Sequence, residues 1–227
     1  LPPSLSTVAL AVLALAAGSA PAQSPSWSGR VGVATDWLVR GVAYSEGEAA
    51  VRSAGIDAYM AGWSLGLGAL WLRDYLGERT SGWSLHLGYE LPLGEQWQLL
   101  ADLQHSRYEG GFVLEGYGGR QFGLGLAFGD RWSLSWNVDR TIEPTLAVRS
   151  LDFNLRWPLA RHVALDLGVG RVLRIEGERY GYGQAGLELH AAGARLRLDR
   201  HWVRPAAQNT YGDLARPRWV GSAQWSF

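Results

Sequence analysis

Downstream of Gln23 apolar and polar residues alternate one by one along nearly the whole chain, and no segment keeps apolar residues at helical spacing. In an extended strand, residues two apart share a face, so this pattern dictates strands with one apolar and one polar surface. In residues 63–71, Trp63, Leu65, Leu67, Ala69 and Trp71 fall on one face. Residues 83–91 repeat the scheme, with His86 and Glu90 on the opposite face. The same alternation runs through 97–103, 132–138, 151–157, 163–169, 194–202 and 219–227, with less regular runs at 30–42, 51–60, 118–128 and 181–191. The sum is about twelve strands, an even number, and the fold class is all-β.

Alternation alone fits a soluble sandwich as well as a membrane barrel, and the connections decide between them. Residues 61–62, 129–131 and 192–193 are hairpin-length, and 92–96 and 158–161 are scarcely longer. The intervening connections, 44–49, 74–81, 109–117, 140–145, 173–180 and 204–217, are generally longer and more polar. Short turns at one end and longer loops at the other predict a transmembrane antiparallel up-and-down β-barrel, turns in the periplasm and loops outside. Tryptophans follow the same division. Trp63, Trp97, Trp132, Trp157 and Trp225, with Tyr89 and Phe227, fall at the turn end, and Trp37, Trp71, Trp83, Trp202 and Trp219 at the loop end. Eight residues separate Trp63 from Trp71, which at about 3.3 Å per residue and a tilt near 40° spans roughly 20 Å, close to the spacing of two aromatic girdles.

Composition removes other classes. The 21 basic residues are all arginine and balance 21 acidic ones, so bulk attraction to nucleic acid or another polyanion is not implied. With no cysteine, thiolate metal sites, disulfides and cysteine nucleophiles are excluded. Residues 1–22 read as a signal peptide: 8–17 are apolar, too few to span a bilayer, and Ala20-Pro21-Ala22 has the small-residue pattern of a cleavage site. Residues 23–227 then form a single barrel domain.

The polar face is expected to line the lumen, because charge is costly against lipid. Its candidate residues are Asp36, Arg40, Asp57, His86, Glu90, Asp102, Asp152, Arg156, Asp166, Glu188, Arg195, Arg197, Asp199 and His201, together with Gln104, Asn137, Asp139, Asn154 and His190. Catalysis finds no support in spacing. His105 and Ser106 are neighbours, which on a strand point to opposite faces, and the five histidines show no metal-ligand spacing. No enzyme, metal or cofactor is implied, although a triad assembled across strands stays open as an outer-membrane lipid hydrolase.

The ending Trp219-Val-Gly-Ser-Ala-Gln-Trp-Ser-Phe227 resembles the C-terminal assembly signal of Gram-negative outer-membrane barrels, in which Phe is the final residue. Residues 31–59 resemble the opening of the TorF-type porin family: Asp36, Arg40, Gly41, Ser45, Ala50, Gly55 and Asp57 match, while Trp37, Leu38-Val39, Ala49 and an inserted Ala58 depart. The resemblance implies a Gram-negative outer-membrane barrel whose partners are the lipid bilayer, lipopolysaccharide and the assembly machinery. The expected function is a narrow pore for passive passage of small polar solutes or ions. A non-conducting structural or surface-interaction barrel, with a filled lumen and loops that contact a partner, is the alternative.

Overall fold

The computed structural model describes residues 24–45, 51–111, 118–141, 147–174 and 179–227; the signal peptide expected over 1–22 lies outside the described residues, as do 23, 46–50, 112–117, 142–146 and 175–178. The strands are β1 (Ser26–Ala34), β2 (Leu38–Val39), β3 (Val42–Ala43), β4 (Val51–Met60), β5 (Trp63–Arg73), β6 (Arg79–Pro92), β7 (Trp97–Glu109), β8 (Gly119–Phe128), β9 (Trp132–Thr141), β10 (Ala147–Ala160), β11 (Val163–Arg174), β12 (Arg179–Ala191), β13 (Ala194–Val203) and β14 (Arg218–Ser226). Twelve of them close into one barrel in which sequence neighbours pair antiparallel and β14 returns to β1, while β2 and β3 pair only with each other. Closure leaves no wall strand with an unpaired edge.

Burial is inverted relative to a water-soluble protein. Leu65, Leu67, Val169, Leu187 and Leu198 are each more than half exposed, whereas Asp57, Glu188 and Asp199 are buried. A face of bare leucine and valine is stable only against a solvent as apolar as itself, and the polar inner face buries its charges by pairing them.

Two turns show how tightly one rim is drawn. Ala61-Gly62 and Ala192-Gly193 each put both residues at positive φ (51° and 82°; 47° and 83°), the type I′ geometry whose twist matches a two-residue hairpin. A side chain at Gly62 would meet the Glu90 carbonyl at 2.7 Å, so glycine is required there.

At the other rim the structure departs from the sequence reading in three places. The wall strand expected over 30–42 ends at Ala34. Asp36 accepts from the Trp37 amide (3.0 Å) and from the Ser45 hydroxyl, and the chain reverses at Arg40-Gly41, both at positive φ. The resulting β2–β3 hairpin touches β7 through Trp37–Tyr108, β9 through Arg40–Asp139, and β11, β12 and β13 through the packing of Val42 with Val172, Tyr180 and Val203. One short hairpin can reach so many walls only from inside the barrel. Asp36 and Arg40 are therefore carried by this insertion, not by a wall strand, and Trp37 packs inside against Tyr44 and Tyr108 at 5.7 and 5.4 Å rather than joining an outer belt.

The second departure is a helix, Pro205–Tyr211, followed by a 3-10 turn, Gly212–Ala215, where a plain loop is expected. Pro205 sits in its first turn, where its missing N–H costs nothing. Ala207 and Ala215 are fully buried in the same apolar cluster as Val42. Seven residues are too few for a helical period to register. Third, the loop expected over 74–81 is a tight turn: buried Asp74 accepts from the amides of Leu76 and Glu78 at 3.0 and 2.9 Å, and β6 resumes at Arg79.

The closing seam is short. β14 and β1 share five paired positions, Arg30↔Ser226 to Ala34↔Ser222, against ten or more at most other seams. Phe227 extends it: its amide donates to the Gly29 carbonyl (3.0 Å), its carbonyl accepts from the Gly29 amide (2.7 Å), and its ring lies over Gly29. Deleting Phe227 should reduce the heat-modifiable folded fraction in the membrane while export is unchanged, read by semi-native electrophoresis. Equal folded yield would show that neither the seam nor the terminal residue limits assembly.

Candidate functional site in the barrel interior

Because residues directly opposite one another in a ladder share a face, the register assembles the interior strand by strand. Near the turn end, Arg156 faces Asp166, Glu188 faces Arg197 and His190 faces Arg195 across adjacent strands. Glu188, 1% exposed, is the hub: Arg156 Nη1 lies 2.6 Å from Oε1, Arg195 Nε lies 3.7 Å from Oε2, and His190 contacts it as well. Arg197 Nε lies 3.0 Å from Asp199 and 3.9 Å from Asp166. Three guanidinium groups and three carboxylates thus neutralise one another within one patch of β10–β13.

On the facing wall Asp57 pairs with Arg30 and lies 3.4 Å from His86 Nε2. Gly66, between them in the ladder, leaves the space they occupy, and a Cβ there would overlap both His86 and Asp57. Arg30 is a partner the sequence reading passed over. The outward alternation of Val31 and Val33 is the signal that places it inside.

Toward the loop end the insertion is riveted to the wall. Arg218 Nη1 donates to Asp36 at 2.7 Å, and Arg40 pairs with Asp139. Burial works against the Arg40 charge, yet the adjacent Asp139 carboxylate, together with Tyr182 and Asp152, lifts the guanidinium above its ordinary pKa. Asp152 accepts from Tyr182, from Ser150 (2.9 Å) and from Asn137 (3.0 Å). Asp102 stands opposite Gly88 and Gly123, and His201 opposite Arg218 and Gln184. Glu90 is exposed at the turn end, beside Ser64 and Tyr59 in a recess of about 230 Å³, without an ion pair among the described residues.

Among the described residues, three larger chambers lie along the interior. One of about 340 Å³ lies at the loop end against Trp37, Arg40, Tyr108 and Asp139; one of about 380 Å³ lies mid-barrel against Arg40, Asn137, Asp152, Tyr182 and His201; one of about 320 Å³ lies at the turn end against Arg156, Asp166, Glu188, Arg195 and Arg197. Neighbouring chambers share lining residues: Val39, Arg40 and Gln121 join the first to the second, and Asn154 and Gln184 join the second to the third.

The outer face carries most of the tryptophans. Trp71, Trp83, Trp202 and Trp219 are exposed toward the loop end. Toward the turn end Trp97, Trp157 and Trp225 are exposed, Trp63 packs against Tyr89 at 4.6 Å with the rings tilted by 47°, and Trp132 meets Trp97 edge-on at 5.2 Å. His105 lies on this outer face against Trp83, while Ser106 is buried inside and accepts from Gln104, so the two cannot act as base and nucleophile together.

No protein-family profile and no curated protein sequence matches the chain. Solved structures do match. The KdgM porin superposes with a TM-score of 0.59 at 9% identity, covering 88% of this chain and 99% of its own. The NanC porin gives 0.56 at 8% identity over 88% and 98%. The COG4313 outer membrane channel from Pseudomonas putida F1 gives 0.56 at 10% identity over 92% and 97%. At such identities the likeness concerns the fold, and that fold is the closed antiparallel barrel of outer-membrane porins and channels.

Proposed function

We propose that the chain is a narrow outer-membrane pore for passive passage of small polar solutes or ions, acting without chemistry or cofactor. The row of three chambers with shared lining residues carries this reading, because charged and polar side chains such as Arg40, Asp139, Asp152, Arg156 and Glu188 line space suited to water and small polar solutes. Between side-chain-filled small barrels and wide porins, twelve strands enclose a lumen that the β2–β3 hairpin narrows further. The lumen-lining residues named above act as its selectivity surface, Arg195 and Arg197 foremost, since Arg195 is nearly half exposed to the turn-end chamber. Export through a cleaved segment 1–22, insertion through the terminal Phe227 signal and membership of the TorF-type family complete the reading in a Gram-negative outer membrane.

The paired state of the inner charges favours a second reading, a non-conducting barrel whose ion pairs and hairpin fill it. Planar-bilayer recording separates the two. A pore gives discrete conductance steps, and Arg195→Gln/Arg197→Gln shifts its reversal potential across a salt gradient toward cation selectivity, because Asp166, Glu188 and Asp199 then outnumber Arg156. A filled barrel is silent as wild type, and the double variant destabilises it or opens a leak, because uncompensated buried carboxylates are costly.

A further inference from the structure

Aromatic residues ring the outer face at both ends, but arginine does so at only one. On β8–β11, where the described outer face of the loop end has no tryptophan, the ladder places Arg120 directly opposite Arg140, Arg149 opposite Val138 and Arg171 opposite Leu151. All four arginines are exposed on the outer parity of their strands, and none has an acidic partner among the described residues. Elsewhere on the same rim Arg52 lies opposite Trp71, Arg107 opposite Trp83 and Arg200 over the Trp219 ring at 5.6 Å, while Arg73 faces Arg79 on β5–β6 and Arg179 faces Leu173 on β12. Glu109, paired with Arg107 at 3.4 Å, is the one carboxylate among these outer-face partners.

Such a patch is unfavourable by itself. Like charges directly opposite in a ladder repel, and the lipid-level position deprives them of bulk water. An anion at that level relieves both costs, and arginine's planar fork suits phosphate oxygens. Four adjacent strands cover a width of about 14 Å, enough to meet two phosphate groups of one headgroup. We infer that the β8–β11 arginines bind the phosphorylated headgroup of a glycolipid in the leaflet on the loop side, with flanking tryptophans seating its acyl chains. The inference rests on the membrane-spanning reading proposed above, not on whether the lumen conducts.

The full barrel is folded into phosphatidylcholine nanodiscs, an arm that tests membrane insertion by itself, and titrated with bis-phosphorylated, mono-phosphorylated and dephosphorylated lipid A, with bound lipid counted by native mass spectrometry. Affinity should fall in that order and weaken with salt. Arg120→Gln/Arg140→Gln/Arg149→Gln/Arg171→Gln should lose about tenfold or more for the bis-phosphorylated form, while Arg161→Gln, at the opposite rim, should change nothing. Should the quadruple variant not fold, the ranking of the three lipids on wild type decides alone. Equal binding of dephosphorylated lipid A, or equal binding of phosphatidylglycerol at matched charge, overturns the proposal.

Discussion

Leu67→Arg is expected to lower barrel stability in lipid vesicles by roughly 2–4 kcal/mol, and His86→Arg by much less. Leu67 lies midway along β5, four residues from both Trp63 and Trp71, and is 52% exposed on the outer face. A guanidinium there sits at the depth where lipid offers neither water nor a carboxylate. His86 pairs in the ladder with Gly66 and points to Asp57, so an arginine at 86 finds a carboxylate within reach. Reversible urea titration of both variants in the same vesicles gives the comparison. Since strand faces alternate with period 2, the opposite order would mean a register wrong by one residue and would turn every inner residue named here outward.

That one-residue sensitivity explains what the sequence made legible. Where a strand alternates strictly, as in β5, β6 and β13, parity alone predicts which of Leu67 and Gly66, or Leu198 and Asp199, faces lipid, and the ladder places them so. Short hairpins such as Ala61-Gly62 and Ala192-Gly193 fixed the ends. The failures lie where alternation lapses. Around 35–45 an apolar pair, Leu38-Val39, and a second, Val42-Ala43, read as a blurred strand, although their partners are each other and the far wall. Sequence parity carries no signal for a hairpin that leaves the wall, because what recruits it is tertiary: the Arg40–Asp139 and Arg218–Asp36 pairs span long separations. The pairing of the interior was equally hidden. Charges of both signs were visible on the inner face, but the convergence of Arg156, Arg195 and His190 on one buried Glu188 depends on barrel curvature bringing β10, β12 and β13 together.

Excising the inserted hairpin should raise conductance several-fold. Its base is already closed, since the Ser45 hydroxyl donates to Asp36 and Ser45 also bridges to Asp74 at the end of β5, so a Gly-Ser-Gly-Ser link replacing residues 37–44 can join two ends that are already held in place. The link removes Arg40 from the boundary between the loop-end and mid-barrel chambers, and with it Trp37 and Val39, merging two spaces of about 340 and 380 Å³. The cost includes the packing of Val42, buried at 1% exposure among Val172, Tyr180 and Val203 and worth about 1.5–3 kcal/mol for a fully buried aliphatic side chain, together with the Trp37–Tyr108 contact and the Arg40–Asp139 pair, while all twelve wall strands and their ladders are kept. Arg40→Ala is the milder partner. It cuts the anchor to Asp139 while the apolar contacts keep the hairpin in the mouth, so current should fluctuate between the wild-type level and a higher one as the hairpin shifts. Planar-bilayer recordings of the three proteins distinguish the geometries directly. A constriction formed by the hairpin predicts the order excised, then Arg40→Ala, then wild type, whereas three identical step sizes would place the limiting section below it, among Arg156, Glu188 and Arg197.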